Sequence, residues 1–162
     1  MTDAEKAQSN PMFQLDRQLC FALYEASRAT IDIYRPLLDE LGITYPQYLV
    51  LLILWEHGTC SVKAIGNLLH LDSGTLSPLL KRLEGTGFIT RQRRASDERV
   101  VDISLTPQGC ALQERAASLP EKFACALDIT FAEYNGLLMR LKKLTTQLHS
   151  REREHTHRSE LE

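Results

Sequence analysis

Four cysteines are the residues of this 162-residue chain best suited to redox chemistry. They are Cys20, Cys60, Cys110 and Cys125. Their wide spacing argues against a disulfide framework, because small secreted domains build such frameworks from dense cysteine patterns. We therefore expect thiols in a reducing compartment. From the residues alone Cys20, between Leu19 and Phe21, fits either a reactive thiol or a small buried hydrophobic residue.

A metal site is a second candidate, because His57, Cys60 and His70 offer nitrogen and sulfur ligands within a short stretch of sequence. Their spacing matches no established zinc signature. We predict neither a metal nor another cofactor, and a metal site at these residues stays as an alternative.

Basic side chains concentrate between residues 81 and 99, although the whole chain carries a formal net charge of -2. The basic residues there are Lys81, Arg82, Arg91, Arg93, Arg94 and Arg99, and the acidic ones are Glu84, Asp97 and Glu98. This local excess predicts a surface that attracts the phosphates of duplex DNA. A solvated charged loop is the simpler alternative for part of this stretch.

A predicted helix-turn-helix positions the first of these basic residues. Ser61 and Asp72 are suitable N-caps for two short helices, in SVKAIGNLLH and LDSGTLSPLLKRLEGTG. The short turn between them is typical of helix-turn-helix motifs, whose second helix enters the major groove. Pro78 must lie in the first turn of that helix or else bend it.

A β-hairpin is predicted directly after the second helix. FITRQRR and RVVDISL have strand patterns, and ASDE between them is typical of a turn. This places Arg94 and Arg99 at the hairpin tip, where an arginine can enter the minor groove. We expect Asp97 to orient the Arg99 guanidinium through a bidentate pair.

We predict that the second helix and the hairpin bind one face of double-stranded DNA. The predicted DNA-binding residues are Ser73, Thr75, Ser77, Lys81, Arg82, Arg94, Asp97 and Arg99. The hydroxyl groups would reach base edges or phosphates, and the basic side chains would bind the backbone. Because two half-site contacts make one specific site, we expect a homodimer on pseudo-palindromic operator DNA.

Long helices flank this module. Apolar residues recur at three- and four-residue steps from Leu15 to Leu41 and in a last helix from Glu133 to His149, which is typical of helices that bury one face. TYPQYLVLLILWEHG predicts a buried second helix, and Pro120 interrupts a helix that opens at Thr106.

The fold class is therefore mainly α with one β-hairpin, in a single domain over residues 1–162. We predict dimerisation helices at about residues 12–42 and 107–149, a winged helix-turn-helix at about 46–105, and a frayed tail at 150–162. No stretch approaches roughly 18 consecutive apolar residues, and the first ten residues lack the features of a signal peptide. We expect a cytoplasmic protein without a membrane partner.

The order of two helices, helix-turn-helix, wing and two further helices resembles the MarR family of winged-helix regulators. SDERVVDISLTPQG is similar to the wing of that family, with its Asp-x-Arg signature. Three segments, LDRQLCFALYEASR, YRPLLDELGITYPQYLVLLILWEH and LDSGTLSPLLKRLE, resemble the organic-hydroperoxide resistance regulators within it. The resemblance covers nearly the whole chain. It implies a DNA-binding transcriptional repressor, not an enzyme, that organic hydroperoxides induce to release its operator.

The resemblance also implies the site residues of a thiol sensor. Cys20 would be the cysteine that the hydroperoxide oxidises, with Tyr34, Tyr45 and Tyr24 hydrogen-bonding its sulfur. Cys125 would be the resolving cysteine, and a low-molecular-weight thiol is the other candidate partner for oxidised Cys20.

Helix geometry constrains where these residues can lie. Cys20 and Tyr34 are fourteen positions apart, which a straight helix converts to about 21 Å, so they cannot meet within one chain. If both line one pocket, the first helices of two subunits run side by side in opposite directions. Oxidation would then change the spacing of the two recognition helices and release the DNA.

Two other functions would use the same residues differently. A thiol peroxidase would turn over at Cys20 but leaves the basic helix-turn-helix without a role. A MarR-type repressor controlled by a small-molecule or metal effector would use the same fold without thiol oxidation.

Overall fold

The computed structural model describes residues 11–159, and the side-chain surroundings of residues 12–151. Seven α-helices and three β-strands lie within these residues. They are α1 (Leu19–Asp39), α2 (Tyr45–His57), β1 (Cys60–Ser61), α3 (Val62–Leu69), α4 (Ser73–Gly85), β2 (Ile89–Arg94), β3 (Asp97–Leu105), α5 (Pro107–Ala116), α6 (Leu119–Leu127) and α7 (Phe131–Ser159). Two short 3-10 turns, Pro11–Phe13 and Leu15–Arg17, precede α1. This order confirms the predicted fold class, mainly helical with a hairpin wing.

Two compact units divide the chain, the first ending at Pro120 and the second beginning at Glu121. The first unit contains helices α1 to α5 and the sheet, and the second contains α7 and most of α6. None of the helices in the described residues is long and apolar enough to span a membrane.

Helix α1 begins later than the apolar pattern predicted, at Leu19 rather than Leu15. Gln18 has an extended backbone (φ -88°, ψ 116°), which separates the preceding 3-10 turn from the helix. Its side-chain Nε2 donates to the carbonyl oxygens of Met12 (2.7 Å) and Gln14 (3.2 Å). Apolar spacing is preserved across such a short break, so periodicity alone predicted one continuous helix.

Helices α3 and α4 begin at the predicted caps. Ser61 Oγ accepts the backbone N–H of Ala64 (3.1 Å), and Asp72 Oδ1 accepts that of Thr75 (2.9 Å). These bonds satisfy N–H groups that a helix leaves free in its first turn. Pro78 lies inside α4 rather than at its start, and the helix continues past it.

The sheet has the order β1-β3-β2, with both pairings antiparallel. In β1, which the sequence did not predict, Cys60 pairs with Ile103. Strands β2 and β3 form the predicted hairpin, but the turn comprises residues 95–96 alone, so β3 begins two residues earlier than predicted. A bulge lies between Arg93 and Arg94 at the end of β2.

Leucine and isoleucine side chains fill the core of the first unit. Those that are at most 1% exposed include Leu51, Leu54, Ile65, Leu80, Leu83, Ile103 and Leu112. Helix α5 packs tightly on the start of the hairpin, because a Cβ added at Gly109 would overlap the carbonyl oxygen of Phe88. Trp55 Nε1 donates to the carbonyl oxygen of Gly109 (3.0 Å). This packing holds α3, α4 and the hairpin in a defined arrangement.

In the second unit, α7 is capped at Thr130, whose backbone N–H and hydroxyl donate to Glu133 Oε2 at 2.8 and 2.7 Å. The helix continues to Ser159, beyond the predicted end at His149. Several large apolar side chains of this helix are exposed. They include Phe131, Leu137, Leu138, Met139, Leu141 and Leu148, which we call the exposed apolar face of α7.

Candidate DNA interface and thiol sensor

A groove of about 590 Å³ lies between the start of α3, helix α4 and the hairpin, and we call it the wing groove. Its polar and charged lining residues are Ser61, Lys63, Asn67, Ser73, Ser77, Arg91, Arg94 and Arg99. Four predicted DNA-binding residues, Ser73, Ser77, Arg94 and Arg99, therefore lie together. Lys81 is exposed on α4 but lies outside the lining.

Two other predicted residues lie on a different face of α4. Thr75 and Arg82 line a separate, mainly apolar pocket of about 530 Å³ together with Pro46 and Leu79. The amide N–H and the hydroxyl of Thr75 both donate to Asp72, at 2.9 and 3.0 Å. Helix positions that differ by three, four or seven share a face. The predicted DNA-binding residues of α4 therefore lie on two faces, one with Ser73 and Ser77 and the other with Thr75 and Arg82.

The hairpin tip pairs its charges differently from the prediction. Arg94 Nε and Nη2 donate to Asp102 Oδ2 and Oδ1 at 2.9 and 2.7 Å. This hydrogen bonding raises the pKa of Arg94 and lowers the pKa of Asp102. The predicted bidentate pair between Asp97 and Arg99 is wrong, because Asp97 Oδ1 accepts the backbone N–H of Arg99 (3.1 Å). That short local bond uses the aspartate within the turn, while Arg94 reaches Asp102 across the two strands.

Arg91 lies outside the set of predicted DNA-binding residues, yet it lines the wing groove. Its Nε atom is buried and has no hydrogen-bond partner among the described residues. Arg91 shares a face of β2 with the buried Ile89, because side chains alternate along a strand. That alternation is the signal in the sequence that could have separated Arg91 from the exposed arginines beside it.

Three tyrosines form a cluster where α1 meets α2. The ring centroid of Tyr34 lies 5.3 Å from that of Tyr45 and 5.9 Å from that of Tyr48, which meets Trp55 edge-on at 6.2 Å. Burial raises the pKa of Tyr45, and burial together with Tyr45 raises the pKa of Tyr48. These two phenols therefore stay neutral near pH 7 and can donate hydrogen bonds. The predicted Tyr34 and Tyr45 do lie together, and Tyr48, which the sequence did not single out, joins them.

Cys20 lies away from this cluster along α1. It is exposed near the start of the helix, and the helical rise from it to Tyr34 is about 21 Å. Tyr24 is 58% exposed, and its hydroxyl accepts a hydrogen bond from Arg28 Nη1 (3.2 Å). Tyr24 therefore does not join Tyr34 and Tyr45 within one chain. The thiol and the buried phenols are separate in a single copy of the protein.

All four cysteines are free thiols in this structure. Cys110 and Cys125 are exposed, and Cys60 is half-buried in β1. In the part of the chain that the structure describes, no three metal-ligating side chains come together. His57, Cys60 and His70 are therefore not brought together as a group of three ligands within these residues.

Known sequences resemble this chain over most of its length. The sequence profile of the MarR family matches residues 43–101. The organic hydroperoxide resistance transcriptional regulator of Bacillus subtilis (strain 168) is 58% identical over 107 residues, which are 66% of this chain and 73% of that protein. The transcriptional regulator TtmR of Methylorubrum extorquens (strain PA1) is 49% identical over 137 residues, which are 85% of this chain and 70% of that protein.

Solved structures share the fold. Reduced AbfR bound to DNA, a protein of Staphylococcus epidermidis, matches with a TM-score of 0.74 and 37% identity over 91% of this chain and 97% of its own. Overoxidised AbfR bound to DNA matches with a TM-score of 0.65 and 40% identity over 83% of this chain and 99% of its own. Disulfide-formed AbfR matches with a TM-score of 0.59 and 37% identity over 91% of this chain and 97% of its own. Given these identities, these coverages and the winged helix-turn-helix described above, the chain belongs to the MarR family.

Proposed function

We propose that this chain is a homodimeric transcriptional repressor that binds operator DNA while Cys20 is a thiol and releases it when an organic hydroperoxide oxidises that thiol. The observation that carries the proposal is the separation, along one helix, of an exposed Cys20 from the buried Tyr34 and its neighbour Tyr45. An antiparallel second copy of α1 would bring each thiol onto the phenols of its partner. The Bacillus subtilis relative, an organic hydroperoxide resistance regulator, supports hydroperoxides as the inducer.

Exposed apolar side chains support the second copy. Met12 and Phe13 are 78% and 79% exposed, and Leu19, beside Cys20, is 65% exposed. Clustered apolar surface of this kind marks an interaction site in a soluble protein. The exposed apolar face of α7 is a second surface of the same character. We assign both surfaces to a homodimer interface.

The proposed chemistry is a two-electron oxidation of sulfur. The thiolate of Cys20 attacks the terminal oxygen of the hydroperoxide, the O–O bond breaks, and a sulfenic acid and an alcohol form. Hydrogen bonds from Tyr34 and Tyr45 would stabilise the thiolate. Apolar neighbours such as Leu19 would favour an alkyl over a small polar peroxide. One oxidation per sulfur is enough for a signal, so the proposal requires no turnover and no enzyme activity.

The sulfenic acid would then condense with a second thiol to give a disulfide and water. That thiol is either the partner subunit's Cys125 or a low-molecular-weight thiol. AbfR binds DNA in its reduced and in its overoxidised form, and it also has a disulfide form. We therefore assign release of DNA in this chain to the disulfide, which would shift one subunit against the other and change the spacing of the two α4 helices.

For DNA binding, α4 would enter the major groove and the hairpin the minor groove. The hydroxyls of Ser73 and Ser77 would reach bases or phosphates from the wing groove. Lys81, one turn after Ser77, would bind the backbone beside them, and Arg82 would bind it from the other face of α4. Arg99 would enter the minor groove. Because its proposed partner is operator DNA, we place the protein in the cytoplasm.

The experiment compares Cys20→Ser with a matched control, Cys110→Ser, which removes another exposed thiol. Each protein is bound to a duplex selected from a random pool and treated with cumene hydroperoxide in a gel-shift assay, with and without a low-molecular-weight thiol, because release is assigned to the disulfide. We expect the wild type and Cys110→Ser to release the duplex and Cys20→Ser to bind it normally but stay bound. Release of Cys20→Ser by peroxide would refute the sensor, and consumption of many peroxides per thiol with a reductant would indicate a peroxidase instead.

A further inference from the structure

Arg91 differs from an ordinary surface arginine. It lies in β2 opposite Ile103, on the strand face that also buries Ile89. Its Nε is shielded from water and has no acceptor among residues 11–159. A shielded donor without an acceptor is destabilising, so a side-chain movement that brings this Nε onto an oxyanion in the groove would be favourable.

The charges of the wing groove point to the same kind of ligand. Four cationic side chains line it, namely Lys63, Arg91, Arg94 and Arg99, and its described lining contains neither Asp nor Glu. Helix α4 adds serine hydroxyls to the same groove. Such a set of donors without carboxylates suits a phosphate.

Arg94 is the exception among these cations. Both Nε and Nη2 are committed to the Asp102 carboxylate, which lies outside the lining. To bind a phosphate, Arg94 would first have to give up two charge-assisted hydrogen bonds. Arg91 has no such competitor among the described residues.

We propose that the wing groove binds one phosphate of the DNA backbone, with Arg91 as its main ligand and Arg94 as a positioning residue that Asp102 keeps out of DNA contact. This inference rests on the proposed DNA-binding function and deepens it. The groove lies between α4 and the hairpin, the two elements that would enter adjacent grooves of the duplex. A backbone phosphate between the two DNA grooves would therefore meet the wing groove.

The salt dependence of DNA binding tests the assignment, because each phosphate contact contributes about 0.9 to the slope of log affinity against log salt. The probe is a mixed-sequence duplex of about 30 base pairs, long enough for two half-sites. Since a dimer carries two copies, we expect Arg91→Ala and Arg91→Gln each to make the slope shallower by about 2. Binding should weaken equally for operator and mixed-sequence duplexes, because a phosphate contact carries no sequence information.

Arg93→Gln is the matched control, because it removes an exposed positive charge from the same strand at a position that does not line the wing groove. We expect its slope to equal that of the wild type. Asp102→Asn frees Arg94 to bind a phosphate, so the salt slope of this variant should be steeper than that of the wild type. If the ion pair between Arg94 and Asp102 were purely structural, its loss would not make the slope steeper. Circular dichroism checks that each variant is folded, and Arg91→Gln keeps most of the apolar stem if Arg91→Ala does not fold.

Two results would overturn the assignment. A wild-type slope for Arg91→Gln, or a slope for Arg93→Gln as shallow as that for Arg91→Gln, would show that Arg91 is not the ligand. An unchanged slope in Asp102→Asn would refute the positioning role of Arg94. If the wild type itself bound no duplex, the proposed function would fail, whereas equal slopes with intact binding would refute only the role of the wing groove.

Discussion

The winged helix-turn-helix and the thiol sensor differ in how much of each site one chain supplies. The helix caps, the sheet and the core beneath α4 are all complete within the first unit, so Ser73, Ser77 and Arg91 already face one groove. The sensor has its two parts at opposite ends of α1, with Cys20 exposed at one end and Tyr34 buried at the other. The proposed DNA-binding surface is thus contained in one chain, whereas the proposed sensor exists only when two chains meet.

This difference gives the two regions different roles in a switch. A surface complete in one chain keeps its shape, so oxidation cannot easily change the groove itself. A site shared between chains changes when the chains shift. Oxidation would therefore act on the distance between two intact DNA-binding surfaces.

The largest expected effect tests whether the DNA-binding region is rigid within one chain. We expect Gly109→Ala to destabilise the fold by at least about 3 kcal/mol, because its Cβ would overlap the carbonyl oxygen of Phe88 and force α5 off the hairpin. Gly85→Ala is the matched control, since a Cβ there meets nothing within 4 Å. It should leave stability unchanged or raise it by about 0.5–1 kcal/mol. Urea unfolding measures both, and equal stabilities would mean that α5 does not rest on the hairpin.

The second prediction tests whether the sensor is shared. Two differently tagged copies are co-expressed, one with Cys20→Ser and the other with Tyr34→Phe and Tyr45→Phe. In the resulting heterodimer one intact thiol faces two intact phenols of the other chain, so it should oxidise at the wild-type rate. In the Tyr34→Phe, Tyr45→Phe homodimer, loss of even one hydrogen bond to the thiolate, about 1.5–3 kcal/mol, should slow oxidation roughly 10–100-fold.

Mass spectrometry of the Cys20 peptide over time after addition of cumene hydroperoxide gives the rate without interference from the other thiols. A heterodimer as slow as the double-phenylalanine homodimer would place thiol and phenols in the same chain. The Cys20→Ser homodimer, which has no sulfur at this position, is the blank.

Local signals explain most of what the sequence predicted correctly. Ser61, Asp72 and Thr106 begin helices because their side chains cap the first turn, and each does so in the structure. Strand β1 escaped prediction because two residues carry no pattern, and Cys60 becomes a strand only by pairing with Ile103 far along the chain. The start of α1 was wrong for a similar reason, since the side-chain bonds of Gln18 leave no trace in apolar spacing.

Some site residues could also be placed from local geometry, and others depend on the tertiary structure. The distance between Cys20 and Tyr34 follows from helical rise and needed no structure. The pairing of Arg94 with Asp102 could not be predicted from the sequence, because it depends on the bulge after Arg93 and on a two-residue turn. Tyr48 lies in α2, which is apolar nearly all round, so apolar periodicity does not indicate which way its side chain faces.

The smallest expected effect concerns the tyrosine cluster at alkaline pH. Burial raises the folded-state pKa of Tyr45 and Tyr48 above the ordinary value of 10.0. Because the unfolded phenols lose their protons first, the free energy of unfolding should fall as pH rises above about 10, and this loss should end once the pH exceeds the folded-state pKa. Tyr48→Phe removes one of these protons. We therefore expect its free energy of unfolding, measured with urea, to fall less between about pH 9 and about pH 11 than that of the wild type.

Replacement of the exposed Tyr24 by Phe should leave this fall in the free energy of unfolding unchanged. Identical pH dependence in all three proteins would mean that the Tyr48 phenol is solvated, and the cluster would then be too open to hold neutral donors for a thiolate from a second chain.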